Sequence, residues 1–375
     1  MKKRLLVILA VVIAFSLVLA ACGGGSGGGG AGGGTAGGGT SSGGTAADNK
    51  VWEVNIAQSH GEPVSPGWQW CFDEVEKRSD GRLKMTIYWS GSLISVPEIP
   101  KSLGEGIAEF SNVPSNNFPD VLPLNVRILE LPFMGLQDGN DTAEIYMQLL
   151  SEFPEMVKEF TDIGIMPLGT TCLGYYGMHF TDPAPVHLPE DLNGKQIIPY
   201  NLQFLPVLEA NNASGSYIPP GQVYEALEKG VVSGYINSWA FQGWFGLTDL
   251  VRSHTNFGEY GAFQDLNILA LNLDFYNELP PDLQQIWKDV MAGDGQGYKK
   301  MWEDQNALVA GEVDNGTAKG DTIVTLTQEE LNVWKELILP THQDVLDEIN
   351  AQRGDTVAND IYKRVKELVA ERYGK

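Results

Sequence analysis

Tyr217-Ile218-Pro219-Pro220-Gly221-Gln222-Val223-Tyr224-Glu225-Ala226-Leu227-Glu228-Lys229-Gly230-Val231-Val232-Ser233-Gly234-Tyr235-Ile236-Asn237-Ser238 reads as a strand, a short helix and a second strand. The two prolines stop the first strand, and Val223, Leu227 and Val231 recur at helical spacing. Gly230 supplies the left-handed cap that closes the helix before the second strand begins. That strand delivers Asn237 to its carboxyl end, which is where open α/β folds place ligand groups. Asn237 and the aromatics just past it, Trp239, Phe241 and Trp244, are therefore candidate pocket residues, although an apolar stripe of this kind equally suits the core of a βαβ crossover.

Outward from this stretch the chain alternates strand-like and helical patterns, which argues for α/β domains with largely parallel sheets. Val51 to Ala57 alternates as a half-buried strand and ends in the polar run Gln58-Ser59-His60-Gly61. A helix opens at Pro66, the Ser79-Asp80-Gly81-Arg82 turn follows, and Leu83 to Trp89 is the next strand. Ile107 to Val113 is another strand with a polar end, so His60 and Asn112 join the candidate ligand residues. Helices are expected over 146–160 and from Pro281 onward. Thr327-Gln328-Glu329-Glu330 fits a capping box for a helix through Trp334 and Leu337. No repeat of roughly 20 to 50 residues is visible.

Several of these runs resemble the extracytoplasmic solute receptors of tripartite ATP-independent periplasmic (TRAP) transporters, the dicarboxylate-receptor family. Val223 to Leu227, Gly230 to Gly234 and Asn237 are similar to its signature E-V-Y-x-A-L-x-x-G-V-V-D-G-x-x-N. Leu131-Pro132-Phe133-Met134, the run from Leu188 to Pro199, and Leu279-Pro280-Pro281-Asp282-Leu283-Gln284-Gln285-Ile286 resemble further family elements in the same order. The resemblance implies an α/β, two-domain periplasmic-binding-protein-like clamp with a ligand cleft between its domains. It also implies a small organic solute as ligand, small and large integral membrane subunits as partners, no cofactor and no enzymatic activity.

Two positions depart from the family pattern. Met178 and Ile198 stand where the family carries arginines that fork a substrate carboxylate, and the sequence has no arginine between Arg127 and Arg252. Each charge-assisted bond of such a fork is worth on the order of 1.5 to 3 kcal/mol, which Met178 and Ile198 cannot supply. The expected pocket is apolar and aromatic, oriented by amides and hydroxyls: His60, Asn112, Tyr176, Met178, Ile198, Asn201, Asn237, Trp239, Phe241 and Trp244. It suits a neutral, aromatic or cationic solute.

The amino terminus bears on location. Lys2, Lys3 and Arg4 precede an uncharged apolar run, and Leu19-Ala20-Ala21-Cys22 matches a lipobox, so Cys22 is the expected acylated first residue of a lipid-anchored, extracytoplasmic protein. The Gly/Ser/Thr/Ala tract that follows has nothing to bury and is expected to act as a tether spanning on the order of 25 to 30 Å. The organisation read from the sequence is a signal peptide over 1–21 and a tether over 22–49. Domain I comprises 50–170 plus about 258–300, domain II comprises 171–257, and helices over 301–375 pack across both.

The net charge of −23 repels nucleic acid and anionic lipid without selecting a small ligand. Beyond Cys22 only Cys71 and Cys172 remain, and both read as small buried hydrophobes. His179 and His187, eight residues apart, match no metal-ligand template, so no metal is expected. No phosphate-binding loop of the G-x-x-x-x-G-K-[ST] type is present. A receptor for an ABC importer or a sensor kinase would share the fold and tether. A secreted enzyme is the other class, and it lacks a nucleophile-base pairing or a paired-carboxylate motif.

Overall fold

The computed structural model describes residues 50–59, 66–293 and 296–374. The leader, Cys22, the glycine tract and His60 lie outside them. Strands among the described residues are β1 (Trp52–Ala57), β2 (Leu83–Tyr88), β3 (Phe110–Pro114), β4 (Ile165–Phe180), β5 (Gln196–Pro199), β6 (Ser214–Gly215), β7 (Gly234–Ser238), β8 (Ser253–Asn256), β9 (Gln264–Asn272) and β10 (Thr322–Thr325). Their order is β2-β1-β3-β9-β4-β7-β5-β6, with β8 paired to β4 and β10 to β8.

The long strand β4 belongs to two sheets. From Ile165 to Tyr175 it pairs with β9, and from Tyr176 to Phe180 it pairs with β7 and β8. The change of partner coincides with a bulge between Cys172 and Tyr175, where Gly174 sits at φ +107°, a conformation that side-chain-bearing residues avoid. A largely parallel sheet, expected from the alternation of elements, is only part of the outcome. β1 with β2 and β3, β5 with β6 and β7, and β8 with β10 are parallel. β9 and β4 run antiparallel to their neighbours, because these strands carry the chain between the two halves in opposite senses.

Burial divides accordingly. Along β9, Ile268 and Ala270 enter one apolar cluster while Leu269 and Leu271 enter another, the period-two alternation of a strand covered on both faces. A third cluster, with Met178, Phe180, Ile198, Tyr235, Ile236 and Trp334, surrounds the sheet built on β5 and β7. Trp334 is fully buried there, and its indole Nε1 donates to the His187 carbonyl at 2.9 Å. Cys71 and Cys172 are buried free thiols, and burial raises both out of the reactive range.

Some local expectations shift. The helix expected over 146–160 is two helices, Gly139–Glu152 and Pro154–Thr161, because Phe153 precedes a proline and cannot remain helical. The helix opened by Pro281 ends at Lys288, and a separate 24-residue helix spans Gln296–Lys319. Of the opening stretch, Val223–Glu228 is helical, Gly230 has φ +66° and β7 carries Asn237. The strand before it is only Ser214–Gly215, with one further ladder bond from Ser216 N to the Ile197 carbonyl, so Tyr217 and Ile218 lie beyond it. The Thr327–Glu330 capping box forms as read. Among the described residues no helix is long and apolar enough to cross a membrane.

Gly104 closes against the Ile163–Gly164 backbone, where an added Cβ would overlap the Ile163 carbonyl oxygen. Gly104→Ala is expected to cost about 2 to 4 kcal/mol, read as a lower urea midpoint at unchanged slope.

Candidate functional site

Polar side chains gather where β4 changes partner. At the end of β3, Asn112 Nδ2 donates to Ser59 Oγ (2.6 Å) and Asn267 Oδ1 (3.1 Å), and its Oδ1 accepts from Ser59 N (2.9 Å). The tip beyond β1 is thereby tied to the tip of β3 and to β9. Just past β3, Asn116 Nδ2 donates to Asp265 Oδ2 (3.0 Å) and reaches Tyr176 OH at 3.3 Å. Tyr176 donates its own hydroxyl to Asp265 Oδ2 at 2.7 Å and lays its ring against Phe263, centroids 4.1 Å apart. Across the junction, Asn201 Nδ2 donates to the Glu130 carbonyl at 2.8 Å, while its Oδ1 caps the short helix after β5 through Gln203 N.

Glu130 and Asp265 form a dry acid pair at this junction. Ser115 Oγ contacts Glu130 Oε1, the Leu266 carbonyl (2.6 Å) and Asp265 Oδ1 (3.3 Å). A hydroxyl has one proton to give, and the carbonyl at 2.6 Å takes it, so Glu130 must carry a proton to approach the same oxygen favourably. Burial and the neighbouring Asp265 hold the Glu130 carboxyl well above the usual carboxylate range. Burial also pushes Asp265 up to about 6, opposed by donors such as Tyr176. One proton shared by the pair is what two carboxylates in a water-free site require.

Three further buried polar atoms stand nearby without a hydrogen-bond partner: Thr171 Oγ1, Asn267 Nδ2 and Ser238 Oγ. Thr171 faces Asn267 directly across the β4–β9 ladder, and Ser238 faces Tyr176 across β4–β7. Leaving a buried donor or acceptor unpaired costs about 1 to 3 kcal/mol. Three of them within one strand crossing mark a place built to pair with something else.

The remaining residues singled out in the sequence fall as follows. Asn237 Oδ1 accepts from Ser238 N at 2.7 Å, and its carbonyl accepts from His179 Nε2 at 3.1 Å. With that proton placed, His254 Nδ1 donates to His179 Nδ1 at 2.8 Å, and burial lowers both imidazoles, His254 to about 3. Trp239 Nε1 donates to Asn256 Oδ1 (2.9 Å), and its ring stacks on His254. Phe241 packs against Tyr200 and Tyr235, and the half-buried Trp244 lies against the same cluster. Met178 and Ile198 are fully enclosed in that cluster. The structure thus brings Asn112, Tyr176 and Asn201 into the junction network and places Met178, Ile198 and Phe241 in the core beneath it. Among the described residues no group of three or more His, Cys, Asp and Glu converges on a metal-sized site, and His187 pairs with Glu330.

Arg127 comes near the strand tips. It lines a cavity of about 300 Å³ with Asn116, Glu130, Tyr200 and Asn201, and its guanidinium is held by Glu348 at 2.6 Å.

Sequence reasoning missed Ser115, Asn116, Glu130, Thr171, Asp265 and Asn267. One signal was available. Glu130 interrupts the run Ile128-Leu129-Glu130-Leu131, which is otherwise apolar, and a carboxylate in such a run is buried only where a partner or a function holds it.

Residues 58–348 match the model of the family described as bacterial extracellular solute-binding protein, family 7. The chain is similar to the ectoine-binding periplasmic protein TeaA of Halomonas elongata, 25% identical over 305 residues that cover 80% of this chain and 85% of that protein. It is also similar to the C4-dicarboxylate-binding periplasmic protein DctP of Rhodobacter capsulatus, 25% identical over 293 residues, covering 75% and 82%. Among solved structures, a TRAP solute-binding protein from Rhodoferax ferrireducens with copurified benzoate superposes with a TM-score of 0.75 at 22% identity, covering 86% of this chain and 98% of that one. A marine metagenome TRAP solute-binding protein with 3-hydroxybenzoate gives a TM-score of 0.76 at 19% identity, covering 87% and 100%.

Proposed function

This chain belongs to family 7 of the bacterial extracellular solute-binding proteins, the extracytoplasmic receptors of TRAP transporters, and from that premise we propose that it grips its solute without a guanidinium fork. The unpaired trio Thr171, Asn267 and Ser238 carries this reading, because it offers one amide donor and two hydroxyls and no charge. Arg127 is engaged by Glu348, and Met178 and Ile198 are core residues. The solute is a neutral, aromatic or cationic organic molecule whose polar edge takes up the trio and whose apolar body replaces water between the strand tips.

The gripping motion divides the described chain into two lobes. Residues 50–170 with about 258–300 form one lobe and 171–257 the other, with the carboxyl-terminal helices over 301–375 bridging them. The distribution of the apolar clusters supports this, since Trp334 and Ile338 pack with the second lobe while Ile361, Val365 and Leu368 pack with the first. β4 and β9 are then the natural hinge, and lobe closure dries the site. Acylation at Cys22 would anchor the receptor on the outer side of the membrane beside its integral subunits, with the glycine tract as leash. The proteins it resembles are transport receptors, so the solute is expected to leave chemically unchanged.

Mass spectrometry of the small molecule released from gently denatured, freshly purified protein tests the reading directly. A copurified ligand without a carboxylate, or with one that Arg127→Ala leaves bound within threefold, agrees with it. Tight binding of a simple dicarboxylate that Arg127→Ala abolishes overturns it.

A further inference from the structure

A second cavity, of about 600 Å³, is lined by none of the polar residues of the junction network, although its Phe263 packs against Tyr176. Its wall includes Gln264, which is three residues from Asn267 on β9, so the two side chains leave opposite faces of that strand. Its aromatic and apolar lining is made chiefly by Phe133, Met134, Phe257, Phe263 and Leu331, and the volume is that of a site for a small organic molecule. Three observations indicate that it is more than a packing gap. Gln264 is 1% exposed, its Nε2 has no hydrogen-bond partner, and its Oε1 lies 3.2 Å from Thr142 Oγ1, whose proton goes to the Asp138 carbonyl at 2.8 Å. Phe133, a bulky residue, is held at φ +63° with its N–H donated to the Ala262 carbonyl at 2.6 Å, a strained conformation of the kind retained at binding sites. Lys335 and Lys366 also line the cavity, and among the described residues neither makes an ion pair.

Lys335 and Lys366 thus set two positive charges, neither taken up by a carboxylate among the described residues, beside one aromatic cavity. Lys335 lies over the Phe133 ring, 5.6 Å from its centroid. Glu259 is the one carboxylate in the lining, and it faces the Tyr260 hydroxyl. We propose that this cavity is a second binding site, for an amphiphilic organic monoanion: its apolar or aromatic body packs among Phe133, Met134, Phe257 and Phe263, and its anionic head lies between Lys335 and Lys366. An acceptor on the body takes the proton of Gln264 Nε2. Leu129, Leu131, Met134 and Val369 belong to the first-lobe cluster, whereas Phe257, Ala262, Phe263 and Leu326 belong to the second. An occupant therefore touches both, and any dependence of its affinity on lobe closure is returned, by reciprocity, as a change in affinity at the strand tips.

Calorimetric titration of the full chain with 2-naphthoate, its neutral amide 2-naphthamide serving as control, tests the site. The expected result is 2-naphthoate binding weakened about tenfold or more by Lys335→Ala with Lys366→Ala, as loss of two charge-assisted contacts requires. The same pair should leave 2-naphthamide unchanged, and Thr171→Val with Ser238→Ala should leave 2-naphthoate binding intact. Absence of binding up to about 5 mM overturns the proposal, since a built site should exceed that affinity. So does binding that ignores the two lysines but is lost with Thr171 and Ser238, because the ligand would then occupy the strand-tip site.

Discussion

Thr171→Val is expected to move two measurements in opposite directions: the ligand-free protein becomes more stable by about 1 kcal/mol, and affinity for the solute falls about tenfold or more. The substitution keeps the shape of the side chain and removes only Oγ1, a buried hydroxyl with no partner. Without ligand that oxygen is a desolvated group with nothing to offset the loss of water, so its removal relieves a cost. With ligand bound it is paired, so its removal forfeits a bond in a dry site. Ser238→Ala should behave in the same way. Asn267→Leu should bind more weakly still, but with less gain in stability, because Asn267 Oδ1 already accepts from Asn112 Nδ2. Chemical denaturation without ligand and calorimetric titration with the copurified solute read the two effects separately. If both quantities fall together, Thr171 is an ordinary packing residue and the unpaired trio does not mark the site.

Glu130→Gln is the second substitution with a large expected effect, and it shows in the pH dependence of stability. Both acids of the pair have folded values above their unfolded ones, Asp265 at about 6. Their favourable contribution is therefore complete below the unfolded range near pH 4 and is lost as pH rises through about 6. The side chains hydrogen-bonded to the pair are Ser115, Asn116 and Tyr176, none of them cationic, and with the Leu266 N–H these donors offset the burial of the two acids only in part. A shift of about two units corresponds to about 3 kcal/mol. Wild-type protein should thus lose about 2 to 3 kcal/mol between pH 5 and pH 8. Glu130→Gln, which keeps a donor for Ser115 Oγ and cannot ionise, removes one of the two titrating acids and should lose less over the same window, the remainder coming from the still-buried Asp265. Urea midpoints at pH 5, 6, 7 and 8 provide the test. Parallel slopes for the two proteins would mean that the pair is not the source.

The acid pair also bears on ligand binding. Tyr176 and Asn116 both spend donors on Asp265, so two residues at the strand tips are oriented by the acid pair rather than by packing alone, while Asn201 is held by the Glu130 backbone carbonyl whatever the pair's protonation. Neutralising Glu130 leaves those orientations in place, whereas replacing Asp265 with an apolar residue would free Tyr176 and Asn116 at once.

Much of this molecule was legible in the residues alone. Short-range chemistry determined the helix over Val223–Glu228, the left-handed Gly230, the capping box at Thr327 and the polar strand ends, because each depends on neighbours a few positions away. The order of motifs likewise announced the receptor family. Only the tertiary structure decided what the strand ends do. Ser115, Glu130, Tyr176 and Asp265 meet from four separate segments, Thr171 and Asn267 face each other only through the β4–β9 pairing, and Ser238 joins that same β4 strand only through β7. Local periodicity specifies which face of an element is apolar. It carries no record of which distant element will cover that face, and that long-range pairing is what assembles an acid pair or leaves a buried hydroxyl without a partner.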